Sequence, residues 1–148
     1  MILVAHELKD YVEQEILSPE DISYTNAVRV HIYRNLFPAG SLKVELRSDT
    51  GKLIGTSETV PISSIDTSSA PNNYFHGYVR FYFNIPLKAS TTYFVRIVGV
   101  GYTFSESSYI GICNDFDLQK YDRSYNPNDG WRSALDIEFW HDERTKRR

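Results

Sequence analysis

The sequence predicts an all-β domain in which two antiparallel sheets pack face to face as a sandwich. Three observations predict it: repeated alternation of apolar and polar residues, turn motifs between the alternating segments, and an aromatic content of 14%, with 11 Tyr and 8 Phe. Tyr and Phe favour a half-buried pleated surface. The pattern gives about eight or nine short strands, and two packed sheets let such strands bury their apolar sides on each other.

Five segments alternate strictly, as expected for strands with one buried face. They are VRVHIYR (28–34), SLKVELRS (41–48), YVRFYFNI (78–85), TYFVRIV (92–98) and ALDIEFW (134–140). The residues predicted to point inward are Val28, Val30, Ile32, Leu42, Val44, Leu46, Val79, Phe81, Phe83, Ile85, Tyr93, Val95, Ile97, Leu135, Ile137 and Phe139. The residues between them, His31, Tyr78 and Tyr82 included, are predicted to point outward.

Four less regular strands complete the set: residues 2–8, residues 11–17, KLIGTSE (52–58) and SYIGIC (108–113). The stretch ELKDYVEQEIL also has partial helical spacing through Leu8, Val12 and Ile16. Alternation over residues 11–16 favours a strand there. A short helix is expected near residues 118–121, and the polar residues 63–73 are expected to form a long surface loop.

Turn motifs separate these strands. They are FPAG (37–40), DTGK (49–52) and NPNDG (126–130). Gly51 can take the positive φ that a tight hairpin needs, so DTGK should join two neighbouring antiparallel strands. In the same way, Gly130 should shape the turn into the last strand, with Trp131 covering the open end of the core.

Composition excludes several classes of protein. The formal charge is −3, and because no basic stripe is visible we expect no nucleic-acid binding. Cys113 is the single cysteine, so no disulfide can form within the chain, and we expect it to be buried. The N-terminal apolar run is too short for a signal peptide, and no stretch is long enough to cross a bilayer. We therefore expect a soluble protein made in a reducing cytoplasm.

The chain has no internal repeat and is predicted to be one domain over residues 1–140, followed by a charged tail over residues 141–148. That tail contains Arg144, Lys146, Arg147 and Arg148. A tail of this kind is either solvated or a tether to an acidic neighbour.

Alternation does not distinguish an immunoglobulin-like topology from a jelly roll. VRVHIYRN is followed by PAGSLKVELRSDTG, TVPISSI and the aromatic YVRFYFNIPLKASTTYFVRIVG, and then by YIGIC, a Gly-Trp loop and ALDIEFW. Over roughly residues 12–140 this order resembles jelly-roll modules of bacteriophage virion proteins and bacterial surface proteins, which are often likened to carbohydrate-binding modules.

The resemblance implies a jelly-roll sandwich that works in a virion, made in the host cytoplasm. Such modules usually have Gly where this chain has Ala89 and Ser90. Many place Trp before the Tyr-x-Gly strand, where this chain has Tyr102 and Phe104. If that Trp stacks on a ligand, its absence argues against glycan binding. The chain is nearly all module with no attached enzyme domain, which favours a stand-alone structural subunit.

Candidate catalytic and metal-binding residues are few. Asp115 and Asp117 flank Phe116, and Asp129 could approach them from the next loop. Together these are candidate calcium ligands, although calcium needs six to eight oxygens. The four histidines lie far apart, and neither a Gly-x-Ser-x-Gly elbow nor a phosphate-binding glycine loop occurs. We therefore expect neither an enzyme nor a bound cofactor.

Aromatic residues are the best binding candidates. One group is Tyr74, Phe75, Tyr78 and Tyr82, and the other is Tyr121, Tyr125 and Trp131. Such rings cover sheet edges, anchor protein interfaces or stack on sugars. We expect a virion component, in capsid decoration, neck or tail, that binds other virion proteins and copies of itself. The alternative is a module that recognises a surface glycan.

Overall fold

The computed structural model describes residues 4–36, 38–65, 74–113, 123–128, 130–133 and 137–140. Within these ranges the chain forms twelve β-strands and one short 3-10 helix, Ile62–Ser64. The strands are β1 (Val4–Glu7), β2 (Tyr11–Leu17), β3 (Tyr24–Asn35), β4 (Ala39–Ser48), β5 (Leu53–Thr56), β6 (Val60–Pro61), β7 (Tyr74–Pro86), β8 (Thr92–Thr103), β9 (Tyr109–Cys113), β10 (Arg123–Asn126), β11 (Gly130–Ser133) and β12 (Ile137–Trp140). The all-β prediction is therefore confirmed.

The strands form two antiparallel sheets. In the five-stranded sheet, β3 is central and pairs with β7 along one of its edges. The other edge of β3 pairs with β9 and with β12, and β1 pairs with β9. In the seven-stranded sheet the order is β11, β10, β2, β8, β4 and β5, and β6 pairs with β4 beside β5.

This order is that of a jelly roll. β1, β9, β3 and β7 form the central part of one sheet, and β2, β8, β4 and β5 form that of the other. From β1 to β4 and again from β7 to β9, consecutive strands lie in opposite sheets, so the connections cross between the sheets. Two four-stranded sheets interleaved in this way define the jelly roll. The strands β6, β10, β11 and β12 are short additions to this frame.

The core lies between the sheets and is built from the inward positions of the alternating strands. The buried cluster includes Val28, Val30 and Ile32 of β3, Leu42, Val44 and Leu46 of β4, Phe81 and Ile85 of β7, Tyr93, Val95 and Ile97 of β8, and Ile137 of β12. Val79 and Phe83 are half-buried against it. These positions were predicted from alternation. Of the inward residues predicted near the C-terminus, Leu135 and the side chain of Phe139 lie outside the described part.

The strand assignments are confirmed, including β2 over the segment that also had helical spacing. Two details differ. The described residues contain twelve strands rather than eight or nine, because β6, β10 and β11 are only two to four residues long and too short to show a period. The turn before Gly130 joins β10 to β11 in a hairpin and does not lead directly into the last strand, β12.

The DTGK turn forms as the sequence predicts. Gly51 has a φ of +88°, and the Gly51 N–H donates to the Ser48 carbonyl at 2.9 Å, which closes the β4–β5 hairpin. Gly130 has a φ of +79°. Cys113 is buried, as expected. The predicted short helix at residues 118–121 and the charged tail at 141–148 lie outside the described residues.

Candidate functional site

A surface of tyrosine and arginine lies on the outer face of the five-stranded sheet. Tyr78 and Tyr82 are four residues apart on β7, so their side chains point to the same face. Each is 45% exposed, and Arg80 lies exposed between them. β3 contributes Arg29 and His31 to the same face. We call these five residues the tyrosine–arginine patch.

Contacts from β3 hold the Tyr78 ring in place. His31 is directly opposite Tyr78 in the strand register, and the two rings lie 4.9 Å apart with a 35° tilt. The guanidinium carbon of Arg29 lies 4.3 Å from the centre of the same ring, within the range of a cation–π contact. Tyr78 is thus packed on two sides and still exposes almost half of its surface. A ring with so few alternative positions loses little conformational entropy when a partner binds.

Two arginines lie side by side in the middle of the patch. Arg29 and Arg80 are direct cross-strand partners in the register of β3 and β7. Like charges placed opposite each other in a sheet are destabilising. On the other side of β3, the backbone of Glu138 is in register with Arg29. Across β12, β3 and β7 the order is therefore Glu138, Arg29 and Arg80.

On the outer face of the seven-stranded sheet, opposite charges pair with one another. Arg96 Nη2 lies 3.0 Å from Glu13 Oε1, and the Arg96 guanidinium stacks 3.9 Å above the ring of Tyr11. On β4, Arg47 Nη2 lies 2.8 Å from Glu45 Oε1. This arrangement suits a half-buried face that is stable in contact with water.

Tyr102 has a structural role. Its hydroxyl donates to the Leu8 carbonyl at 3.0 Å and accepts from the Ile110 N–H at 3.0 Å. Burial raises the pKa of Tyr102 to about 12; the Ile110 hydrogen bond opposes this rise, and the charge of Glu7 adds to it. The ring stacks on Phe104 at 5.3 Å. Tyr102 therefore ties the chain after β1 to β9.

Two other groups have shifted pKa values. Burial raises the pKa of Tyr109, and the nearby charges of Glu7 and Tyr33 act in the same direction. Burial lowers the pKa of Arg34, whose Nη1 donates to the Ile65 carbonyl at 3.2 Å. Arg34 lies on the inward side of β3 and is 2% exposed, so its charge is part of the interior.

The described members of the two predicted aromatic groups lie on different sheets. Tyr78 and Tyr82 are on the five-stranded sheet, and the backbone of Tyr74 and Phe75 continues the same strand. Tyr125 is half-buried on β10 of the seven-stranded sheet, with its backbone paired to Trp131. Tyr121 lies outside the described residues, as do the side chains of Tyr74, Phe75 and Trp131, so the expected cap by Trp131 stays a prediction.

The candidate calcium ligands Asp115, Asp117 and Asp129 also lie outside the described residues. Among the residues that are described, no group of three or more His, Cys, Asp or Glu side chains is placed to hold a metal ion. Within the same part of the chain, no helix is long and apolar enough to span a membrane.

One polar pair was not found from the sequence. His6 Nε2 lies 2.9 Å from Ser124 Oγ, a distance typical of a serine nucleophile and its base. Both residues are buried, with 1% and 0% exposure, so a substrate could not reach the serine in this conformation. The two residues are 118 positions apart. Sequence spacing gave no signal for the pair.

Comparison with protein-family models and with curated proteins found no match to this chain.

Proposed function

We propose that this chain is a non-enzymatic structural component of a bacteriophage virion, in capsid decoration, neck or tail. It would bind other virion proteins and copies of itself through protein–protein interfaces. The observation that supports the proposed protein–protein interface is the tyrosine–arginine patch. Tyr and Arg dominate the residues that contribute most to protein interfaces, and here they lie together on a rigid sheet. The virion setting is supported by the resemblance to phage jelly-roll modules and by the jelly-roll strand order.

The second candidate is a module that binds a surface glycan. The exposed rings of Tyr78 and Tyr82 favour it, because the C–H faces of sugars stack on aromatic rings and Arg80 could bind hydroxyl groups between them. The contacts of Arg29 with the Tyr78 ring favour the protein interface instead, since stacked arginine is frequent at protein contacts.

Mass spectrometry of density-purified phage particles tests the virion proposal. We expect peptides of this chain at a fixed copy number per particle. Their absence from purified particles would contradict the proposal. In the same system, Tyr82→Ser should lower the copy number, while Phe104→Ser should not. Phe104 is a suitable control because its exposed fraction, 47%, is similar to the 45% of Tyr82. It lies outside the patch.

A glycan array probed with the purified chain tests the alternative. A specific signal that is lost in Tyr78→Ala or Tyr82→Ala would favour glycan recognition on this patch. Loss in Tyr121→Ala, Tyr125→Ala or Trp131→Ala would place it at the second aromatic group. A signal unchanged in all five variants would argue against both surfaces as glycan sites.

A further inference from the structure

We infer that this chain forms a covalent cross-link within itself, an ester between the hydroxyl of Ser124 and the side chain of Gln14. His6 acts as the general base, and ammonia is released. The bond ties the β10–β11 hairpin to β2. The inference goes beyond the proposed function, because the bond forms whether or not the chain belongs to a virion.

Ser124 and His6 supply the nucleophile and the base. His6 Nε2 lies 2.9 Å from Ser124 Oγ. In the tautomer that carries its proton on Nδ1, Nε2 accepts a hydrogen bond from the serine hydroxyl, which is the arrangement that activates a serine. The two residues are 1% and 0% exposed, so the group that the serine attacks must lie inside the protein.

Gln14 supplies that group. It lies directly opposite Ser124 in the register of β2 and β10, and both residues are buried, so both side chains point into the interior. Opposite residues of an antiparallel pair have their Cβ atoms about 4.5–5.5 Å apart, a span that a glutamine side chain can bridge. The side-chain nitrogen of Gln14 donates to the Glu15 carbonyl at 2.9 Å, which fixes the orientation of the amide.

Asn126 is a second buried amide close to the serine, but it has a different role. Its Nδ2 donates to the Glu7 carbonyl at 3.3 Å. Asn126 lies two residues from Ser124 on the same strand, about 7 Å away along β10. It therefore holds β1, and with it His6, beside β10, and Gln14 is the amide that reacts.

The reaction balances without any further reactant. As His6 Nε2 takes the hydroxyl proton, Ser124 Oγ forms a bond to Gln14 Cδ and gives a tetrahedral intermediate. The C–N bond then breaks, the nitrogen takes the proton back from His6, and ammonia leaves. The products are one ester and one ammonia molecule. Nothing is oxidised or reduced, and His6 returns to its starting state.

Proximity and burial favour this reaction, although alcohols attack amides only slowly in water. Neighbouring strands hold the two groups together, and well-oriented intramolecular reactions reach effective molarities of about 10⁵–10⁸ M. Exclusion of water limits hydrolysis of the ester once it has formed. Ammonia that escapes to solvent is diluted, so the reverse reaction is slow.

Mass spectrometry of the intact, purified full chain in denaturant tests this inference. We expect a mass lower than that of the sequence by one ammonia molecule. Trypsin should then give one branched product that joins residues 10–29 to residues 124–132. Hydroxylamine cleaves esters, so it should separate the two peptides and leave a hydroxamate on the side chain at position 14.

Variants identify the role of each residue. Ser124→Ala and Gln14→Ala remove the nucleophile and the carbonyl carbon, so each should keep the full mass of its own sequence. His6→Gln keeps a polar side chain without a base and should slow formation of the linked form by about 100-fold or more. Ser18→Ala is the matched control and should link fully. Ser18 is also buried, at 2% exposed, but its hydroxyl donates to the Lys88 carbonyl at 2.6 Å.

A folded wild-type chain at the full mass of its sequence would overturn the inference. An ammonia loss that persists in Ser124→Ala would also overturn it, since the loss would then come from another group, such as an asparagine that forms a succinimide. Equally fast linkage in His6→Gln would contradict the role of His6 as the base. The wild-type mass and its branched peptide decide the main point, so the test does not depend on the folding of any variant.

Discussion

His6 Nε2 and Ser124 Oγ lie 2.9 Å apart and join β1 of one sheet to β10 of the other. The side chain of Asn126 adds a second link, because its Nδ2 donates to the Glu7 carbonyl at 3.3 Å. All three side chains are buried. These polar groups therefore link the two sheets between β1 and β10. Such groups stabilise a fold only while they stay hydrogen-bonded.

Ser124→Ala should lower the free energy of unfolding by about 1–3 kcal/mol, because it removes the hydrogen bond to a buried imidazole. Urea denaturation followed by circular dichroism measures the change. Ser64→Ala is the control, since Ser64 is exposed and its hydroxyl bonds locally to the Pro61 carbonyl. Equal, small effects of the two substitutions would show that the His6–Ser124 contact contributes little.

Neighbouring positions on β7 should differ sharply in their contribution to stability. Phe81 is completely buried, while Tyr82 is 45% exposed on the opposite face. Phe81→Ala should cost about 3–5 kcal/mol through lost burial and the cavity left behind, and Tyr82→Ala about 1 kcal/mol or less. Thermal unfolding of the two variants measures the difference. Similar melting temperatures would contradict the assignment of the two faces.

This alternation is also the reason that most of the fold could be predicted. A strand with one buried face repeats every two residues, so the inward set on β3, β4, β7 and β8 could be identified from local sequence alone. The strands β10 and β11 could not be identified in this way. RSYN and GWRS are four residues each and largely polar, and they become strands by pairing with each other and with β2.

The candidate site was predictable only in part, for a related reason. The outward direction of Tyr78 and Tyr82 follows from alternation, but their contacts with Arg29 and His31 depend on the register between β3 and β7. Those strands are separated in sequence by β4, β5 and β6, so no local pattern specifies which residues meet. The His6–Ser124 pair, formed across 118 residues, depends on the tertiary fold in the same way.

Gly40 should be far less tolerant of substitution than Gly51. Both have positive φ, +103° and +88°. A Cβ on Gly40 would lie 2.6 Å from the carbonyl carbon of Gly101 and 2.7 Å from Tyr102 Cα, whereas a Cβ on Gly51 would meet no atom within 4 Å. Gly51→Ala should cost about 1 kcal/mol for the left-handed backbone alone. Gly40→Ala should cost about 2–4 kcal/mol, because the backbone contact adds to that strain.

Urea denaturation of the two glycine variants measures this difference under identical conditions. An equal loss of stability in both would show that the close approach of Gly40 to Gly101 relaxes without cost. A larger loss for Gly51→Ala would contradict the hairpin geometry described for the β4–β5 turn.

Tyr102 should make the stability of the fold depend on pH in the alkaline range. Burial raises its pKa in the folded state from 10.0 to about 12, so the ionised form is disfavoured in the folded protein. Below pH 10 the hydroxyl is protonated in both the folded and the unfolded state, and its full contribution to the free energy of unfolding is present. Between pH 10 and 12 the unfolded chain loses this proton first, which favours unfolding, so stability falls as pH rises.

Tyr102→Phe tests this effect because it keeps the ring and removes the titrating group. The variant should be less stable at pH 8, by about 1 kcal/mol, since the hydrogen bonds to Leu8 and Ile110 are lost. The difference in unfolding free energy between variant and wild type should narrow as pH is raised from 10 towards 12. Only the wild type has the Tyr102 hydroxyl, so only the wild type loses the stability that this hydroxyl provides. Urea denaturation at closely spaced pH values gives both curves, and the other tyrosines affect them equally. Parallel curves across this range would mean that the Tyr102 hydroxyl titrates alike in the folded and unfolded chains. The hydroxyl would then not be held between β9 and the end of β1 as described.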